Sequence, residues 1–169
     1  MSLLRGLTRR WQLGGAYEAS RTEALRLAQD QMDGGVPRQE ICDLLRSSLP
    51  SRRAPRALQA YADVAAELQK VMVQRNAQAG KLEQAGKLRE AIELYEANVA
   101  DRFVGEQPYE RLLEIYSRRG DFRNAARVGE AYLRVLPRLP GRPERSAALE
   151  QQLQVWRDRV RPGVSGLSG

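Results

Sequence analysis

The sequence predicts an all-α protein. Ala, Leu, Arg, Glu and Gln dominate the 169 residues, whereas β-branched and aromatic residues are scarce. The abundant side chains lose little rotamer freedom in a helix. Apolar residues also recur at helical spacing, and glycine and proline separate the apolar stretches. With 42% hydrophobic residues, the chain can form one domain with a core or a short stack of helical hairpins.

The first segment, residues 1–17, is predicted to be a basic amphipathic helix. Arg5, Arg9 and Arg10 occur there without an acidic residue, and Leu7 and Trp11 lie at helical spacing. Packing of this helix on the domain is favoured, because most amphipathic helices cover a protein core. Contact of residues 1–12 with a membrane surface and a role as a targeting segment are the less favoured alternatives.

Residues 18–53 are predicted to form a helical hairpin with helices at 22–32 and 38–49. The linker DGGVP supplies Gly34 and Gly35 to end the first helix and Pro37 to begin the second. The stretch GGVPRQEICDLL is also similar to a helix-turn-helix, in which polar side chains of the second helix would face DNA bases. Those side chains would be Arg38, Gln39 and Asp43. A hairpin of a larger helical stack explains the pattern equally well.

Residues 54–137 contain an internal repeat. A helix over 55–71 comes first, with an apolar stripe of Leu58, Tyr61, Ala65 and Leu68. The stretch Ser117–Pro137 then matches Glu83–Phe103 when it is moved back by 34 residues. The matched pairs are Gly86 with Gly120, Leu88 with Phe122, Ala91 with Ala125, Leu94 with Val128 and Val99 with Leu133. We expect each glycine to end a helix in a left-handed conformation and Asp121 to cap the next helix.

The second copy resembles the tetratricopeptide repeat (TPR), a 34-residue pair of antiparallel helices. The residues that carry this resemblance are Tyr109, Leu112, Tyr116, Gly120, Asp121, Phe122, Ala125 and Pro137. In the first copy, Arg75 replaces a large aromatic residue and Phe103 stands where proline is expected. The resemblance implies a short TPR-like right-handed solenoid of antiparallel helical hairpins. Its expected core is Leu82, Leu88, Leu94, Tyr95, Leu112, Leu113, Tyr116, Phe122, Val128 and Leu133.

Flanking helices are needed because two such repeats do not bury a continuous core alone. Residues 138–160 are predicted to be a linker followed by a C-terminal capping helix, in which Leu149, Leu153, Trp156 and Val160 recur at helical spacing. Residues 161–169 lack such a pattern and are predicted to be a flexible tail. The order of hairpin, RRGDF turn and closing helix is also similar to the helical effector domain of some bacterial transcription activators.

The composition argues against an enzyme. The chain has no histidine, which is the commonest general base and metal ligand, and it has neither a glycine-rich phosphate loop nor a nucleophile elbow. We therefore predict no catalytic residues, no metal site and no cofactor. Cys42 is the single cysteine, so a disulfide within the chain is excluded and a cytoplasmic location is expected.

The leading functional prediction is a non-enzymatic adaptor or scaffold, because the resemblance to TPR proteins implies a groove that binds a peptide or helix of a partner protein. First-helix positions that packing does not use would line this groove. They are Gln74, Asn76, Glu83, Gln107, Glu110, Arg111, Glu114 and Arg118. Formation of a homodimer is a further expectation, since a short solenoid leaves apolar faces at its ends.

Nucleic-acid binding is the alternative. The net charge of +7 is uneven, with +4 in residues 1–60, −3 in 61–116 and +6 in 117–169. Basic surfaces at both ends of the chain would attract phosphate groups. The residues predicted to make these contacts are Arg38, Gln39, Arg52, Arg53, Arg56, Arg123 and Arg127.

Overall fold

The computed structural model describes the backbone of residues 3–47, 55–139 and 143–160, and the side chains of 15–47, 55–139 and 145–160. In these ranges every regular element is helical, which confirms the all-α prediction. The helices are α1 (Leu3–Asp33), α2 (Arg38–Ser47), α3 (Pro55–Gln84), α4 (Leu88–Ala100), α5 (Gln107–Arg118), α6 (Phe122–Val135) and α7 (Pro143–Val160), with a 3₁₀ turn at Leu136–Arg138. The tail 161–169 and the side chains of residues 1–12 lie outside the described residues.

Two helices are longer than the sequence predicted. Helix α1 continues from Leu3 to Asp33 through Gly14 and Gly15, because an interior glycine costs a helix only about 1 kcal/mol. Helix α3 joins the predicted helix 55–71 to the first helix of the repeat. It contains neither glycine nor proline from Arg56 to Ala79, so no residue interrupts it there.

The chain divides into two compact units, residues 1–74 and 75–169, and the boundary lies within α3. In the first unit, α1 and α3 run in the same direction. Tyr17 donates to Asp63 at 2.7 Å, and one turn later Arg21 pairs with Glu67 at 2.9 Å. The buried apolar residues of this unit are Ala24, Ala28, Ile41, Cys42, Leu45, Ala60, Tyr61, Val64, Ala65 and Met72. Leu58 is exposed, so one position of the expected apolar stripe does not join this core.

In the second unit, successive helices are antiparallel and alternate helices are parallel. The rings of Tyr109 on α5 and Tyr132 on α6 stack with centroids 5.0 Å apart. The core cluster contains Ala79, Ala91, Tyr95, Val99, Tyr109, Leu112, Leu113, Tyr116, Ala125, Ala126, Val128, Tyr132, Val135, Leu136, Leu153 and Trp156. Of the ten expected core residues, five are buried, and Leu82, Leu94, Phe122 and Leu133 are half-buried against this cluster. Leu88 is half-buried but is not part of this packing.

The two turns that lie 34 residues apart have the same backbone geometry. Gly86 and Gly120 have φ of 74° and 70°, as a left-handed helix end requires. Lys87 N donates to Leu82 O at 2.9 Å, and Asp121 N donates to Tyr116 O at 2.9 Å. The turns differ at the next helix, because the Asp121 side chain accepts from Asn124 N, whereas Lys87 provides no side-chain cap.

We expect Asp121→Ala to lower the free energy of unfolding by about 1 kcal/mol, because a free N–H group of α6 loses its acceptor. Urea denaturation followed by circular dichroism measures this change. Lys87→Ala at the equivalent position of α4 is the matched control and should change the free energy by a few tenths of a kcal/mol at most. Equal losses in the two variants would contradict the capping role of Asp121.

Candidate binding surface

Six of the eight residues predicted to bind a partner lie along one side of α3 and α5. On α5 the positions 107, 111, 114 and 118 follow the spacing that keeps side chains on one helix face. Positions 76 and 83 on α3 are two turns apart and therefore share a face as well. We call this surface the α3–α5 face. It contains Asn76, Glu83, Gln107, Arg111, Glu114 and Arg118.

A pair of amides connects the two helices at the first end of the α3–α5 face. Asn76 Nδ2 donates to Gln107 Oε1 at 3.0 Å. Gly80 lies beside this pair, and a Cβ atom there would be in ordinary van der Waals contact with Gln107 Nε2 at 3.4 Å. Asn76 Oδ1 is buried and accepts no hydrogen bond from the described residues. Buried polar atoms are rarely left without a partner, so this oxygen is an exception within the packed contact between Asn76 and α5.

Arg111 pairs with two carboxylates at the centre of the α3–α5 face. Its Nε donates to both carboxylate oxygens of Glu83 at 3.1 Å, and its guanidinium also pairs with Glu114. Arg118 pairs with the other oxygen of Glu114 at 2.5 Å. The Tyr95 hydroxyl, on α4, donates to Glu83 at 3.1 Å. Two positive and two negative charges are therefore joined in one network, and the face carries no excess charge.

Glu110 and Gln74 lie elsewhere. Glu110 accepts from Arg145 of α7 at 2.7 Å, and the same Arg145 nitrogen donates to Glu106 at 2.9 Å. Glu110 therefore connects α5 to α7 instead of lining the α3–α5 face. Gln74 is exposed and belongs to the first unit. The sequence did not single out Arg145, which follows the Pro-Gly linker and has no counterpart in the repeated stretch.

A concave site of about 390 Å³ lies between the end of α5, the start of α6 and α7. Its lining is Leu113, Glu114, Ser117, Phe122, Gln152, Trp156 and Arg159. The Arg159 guanidinium lies 4.6 Å from the centroid of the Phe122 ring. Ser117 Oγ is buried without a hydrogen bond to the described residues. The helical spacing of Trp156 indicated a packing residue only, and it did not reveal that this ring also borders a surface site.

The residues of the nucleic-acid alternative belong to both units, and the structure describes five of the seven. Gln39 was expected to face bases, but it is only 2% exposed and donates to Asp43. This placement corrects the helix-turn-helix interpretation, because Gln39 lies on the packed side of α2. Arg127 pairs with Glu96 at 2.5 Å. Arg38 is half-buried, and Arg56 and Arg123 are exposed, whereas Arg52 and Arg53 lie outside the described residues.

The ion pair between Glu83 and Arg111 gives a pH-dependent prediction. Hydrogen bonds from Arg111 lower the pKa of Glu83 below its usual value, and burial opposes this effect. The ionised form of Glu83 is thus favoured in the folded state. The stability that the ion pair contributes is therefore fully present above the unfolded pKa of Glu83, and it is lost as the pH falls through the folded pKa. We expect Glu83→Gln to be about 1–2 kcal/mol less stable than the wild type at neutral pH.

This difference should shrink as the pH is lowered from about 5 to 3, because the wild-type carboxylate then becomes protonated. Urea denaturation of both proteins at several pH values measures it. Glu93→Gln changes an exposed carboxylate on α4 and should give no such trend. A Glu83→Gln difference that is constant over this pH range would show that Glu83 is not held ionised by Arg111.

Comparison of the chain with family models, with curated proteins and with solved structures gave no significant match. Among the described helices, none is long and apolar enough to cross a membrane. The described side chains also contain no group of three or more His, Cys, Asp or Glu residues placed to hold a metal ion.

Proposed function

We propose that residues 75–160 form a TPR-like array and that the protein is a non-enzymatic adaptor. Its α3–α5 face, extended by the concave site beside α7, would bind a peptide or a helix of a partner protein. One observation carries this proposal. Side-chain contacts join Asn76 of α3 to Gln107 of α5, and Glu110 of α5 to Arg145 of α7, and we call the outward residues of these three helices the strip.

Contacts at a recurring sequence separation support the array. Asn76 contacts Gln107, 31 residues later, and Glu96 contacts Arg127, also 31 residues later. The first pair joins α3 to α5, and the second joins α4 to α6. A stack of hairpins produces this pattern, because each helix meets its counterpart in the next hairpin. In this arrangement α7 is the first helix of a third hairpin and covers the second.

The chemistry of the strip favours a polar segment with one apolar anchor. Arg111 is already neutralised by two carboxylates, so a partner gains little from a charge placed against it. The exposed amide of Gln107 and the exposed guanidinium of Arg118 can form hydrogen bonds with such a segment. An aliphatic or aromatic side chain of the partner would fit beside Trp156, where burial of apolar surface contributes most to affinity.

The experiment is affinity capture from the host lysate, with and without nuclease, followed by quantitative mass spectrometry and titration of the recovered partner. The test variant is Gln107→Ala/Arg118→Ala, which truncates two exposed side chains of the strip. Arg89→Ala/Glu93→Ala is the matched control, since it removes an exposed ion pair of α4. We expect the test variant to bind at least about 10-fold more weakly and the control to bind like the wild type.

Equal binding by both variants would refute a role of this strip. Recovery that disappears after nuclease treatment would favour the nucleic-acid alternative. In that case the binding constant should fall by nearly one log unit per log unit of salt for each phosphate contacted.

A further inference from the structure

The first unit has an apolar groove that none of its described helices covers. The groove lies between α1 and α3 and has a volume of about 630 Å³. Its apolar lining is Leu25, Ala28, Met32, Val64, Leu68 and Val71. Leu25 is 41% exposed and Val71 is 44% exposed, although both side chains are large and apolar. Leu25 of α1 and Val71 of α3 are thus exposed along one apolar groove, which makes the groove a candidate contact site.

Helix α2 packs elsewhere on the unit. Cys42 Sγ of α2 donates to Ala65 O of α3 at 3.4 Å, and Ile41, Cys42 and Leu45 are buried. No residue of α2 lines the groove. Among the described residues of this unit, α2 therefore covers one side of the α1–α3 pair and the side with the groove is open. A further helical layer would be needed to bury that side.

The charges on the α1 rim of the groove are self-complementary. Arg26 and Asp30 both line it and are one helical turn apart. Within the described part of the chain, neither side chain has an ion-pair partner on another element. On the opposite rim, Glu67 is already paired with Arg21 at 2.9 Å. The open rim thus offers one positive and one negative charge in sequence along α1.

We propose that a second copy of this chain occupies the groove, with its α1 antiparallel to the first. A two-fold axis between positions 26 and 30 would place each Arg26 opposite Asp30 of the other copy. The same ion pair would then form twice across the interface. Leu25, Met32 and Val71 of the two copies would bury one another beside these pairs. The interface uses only the first unit, so it does not depend on the proposed function of the α3–α5 face.

Analytical ultracentrifugation of the full chain tests the proposal. We expect a dimer for the wild type and at least about 100-fold weaker association for Val71→Asp, because each copy would bury an unpaired carboxylate. Val155→Asp is the matched control, since Val155 on α7 is equally exposed at 44% and belongs to the second unit. This control should associate like the wild type. Circular dichroism of the three proteins should show equal helix content, because both valines are exposed.

Reversal of the rim charges tests the two-fold arrangement itself. Arg26→Glu would set like charges against Asp30 twice and should weaken association about 10-fold or more. Arg26→Glu/Asp30→Arg restores opposite charges and should recover most of the wild-type association. A wild type that stays monomeric up to about 100 µM overturns the proposal, even if another protein binds the groove. A dimer insensitive to Val71→Asp, or a double reversal that does not recover, also overturns it.

Discussion

Asp101→Ala is expected to lower the free energy of unfolding by about 3–5 kcal/mol, the cost typical of breaking a buried ion pair. Arg75 Nη1 lies 2.6 Å from Asp101 Oδ2, and the two side chains are only 15% and 11% exposed. Asn98 Oδ1 accepts from the same nitrogen at 3.2 Å, but a neutral amide cannot balance the charge. The variant therefore leaves a guanidinium buried without its counter-charge. Urea denaturation followed by circular dichroism gives the loss directly.

Two further variants separate the charge effect from a loss of packing. Arg75→Met/Asp101→Leu removes both charges and fills the space with apolar atoms, so it should recover at least half of the lost stability. Glu93→Ala breaks an exposed ion pair with Arg89 and should cost less than about 0.5 kcal/mol. If the double variant is no more stable than Asp101→Ala, the loss comes from side-chain packing and the buried charge is not its cause.

The Arg75 cluster shows what the sequence could and could not predict. The sequence placed Arg75 where a TPR-like repeat has a large aromatic residue, so it located the departure from the pattern. It did not identify Asp101, which lies 26 residues away and meets Arg75 only because α3 and α4 are antiparallel. The turn at Gly120 was fully predicted, because local chemistry alone decides a left-handed glycine followed by an N-cap.

The same distinction applies to the candidate site. Helical spacing correctly placed Gln107, Arg111 and Glu114 on one face, because the period of a helix is fixed. It could not show that Glu83 and Glu114 share Arg111, which depends on the distance between two helices. Gln39 was misplaced for a related reason. Its position on α2 gave no indication of the neighbours that bury it, since they come from the tertiary fold.

Leu153→Ala is expected to lower the free energy of unfolding by about 2–5 kcal/mol, as large-to-small changes in a packed core do. Leu153 is almost fully buried and belongs to the cluster that joins α6 and α7. Leu153 packs closely against Gly129 of α6, because a Cβ atom at Gly129 would lie 2.8 Å from Leu153 Cδ2. The Cβ atom at Gly129 would also lie 3.3 Å from Trp156 Cζ3. Glycine at position 129 has a physical reason, because Leu153 occupies the space that a side chain there would need.

This packing predicts the sign of a double-mutant cycle. Gly129→Ala alone gains about 1 kcal/mol of helix propensity but overpacks against Leu153 at a cost of about 1–3 kcal/mol, so its net loss should be between about 0 and 2 kcal/mol. In Gly129→Ala/Leu153→Ala the new methyl group enters the space that Leu153 vacates. The double variant should therefore be about 1 kcal/mol more stable than Leu153→Ala. Urea denaturation of the four proteins measures the coupling, with exposed Val155→Ala on α7 as a control expected to change little. If the losses of the two single variants simply add in the double variant, α6 and α7 can move apart without cost. Gly129 is then not required for their contact.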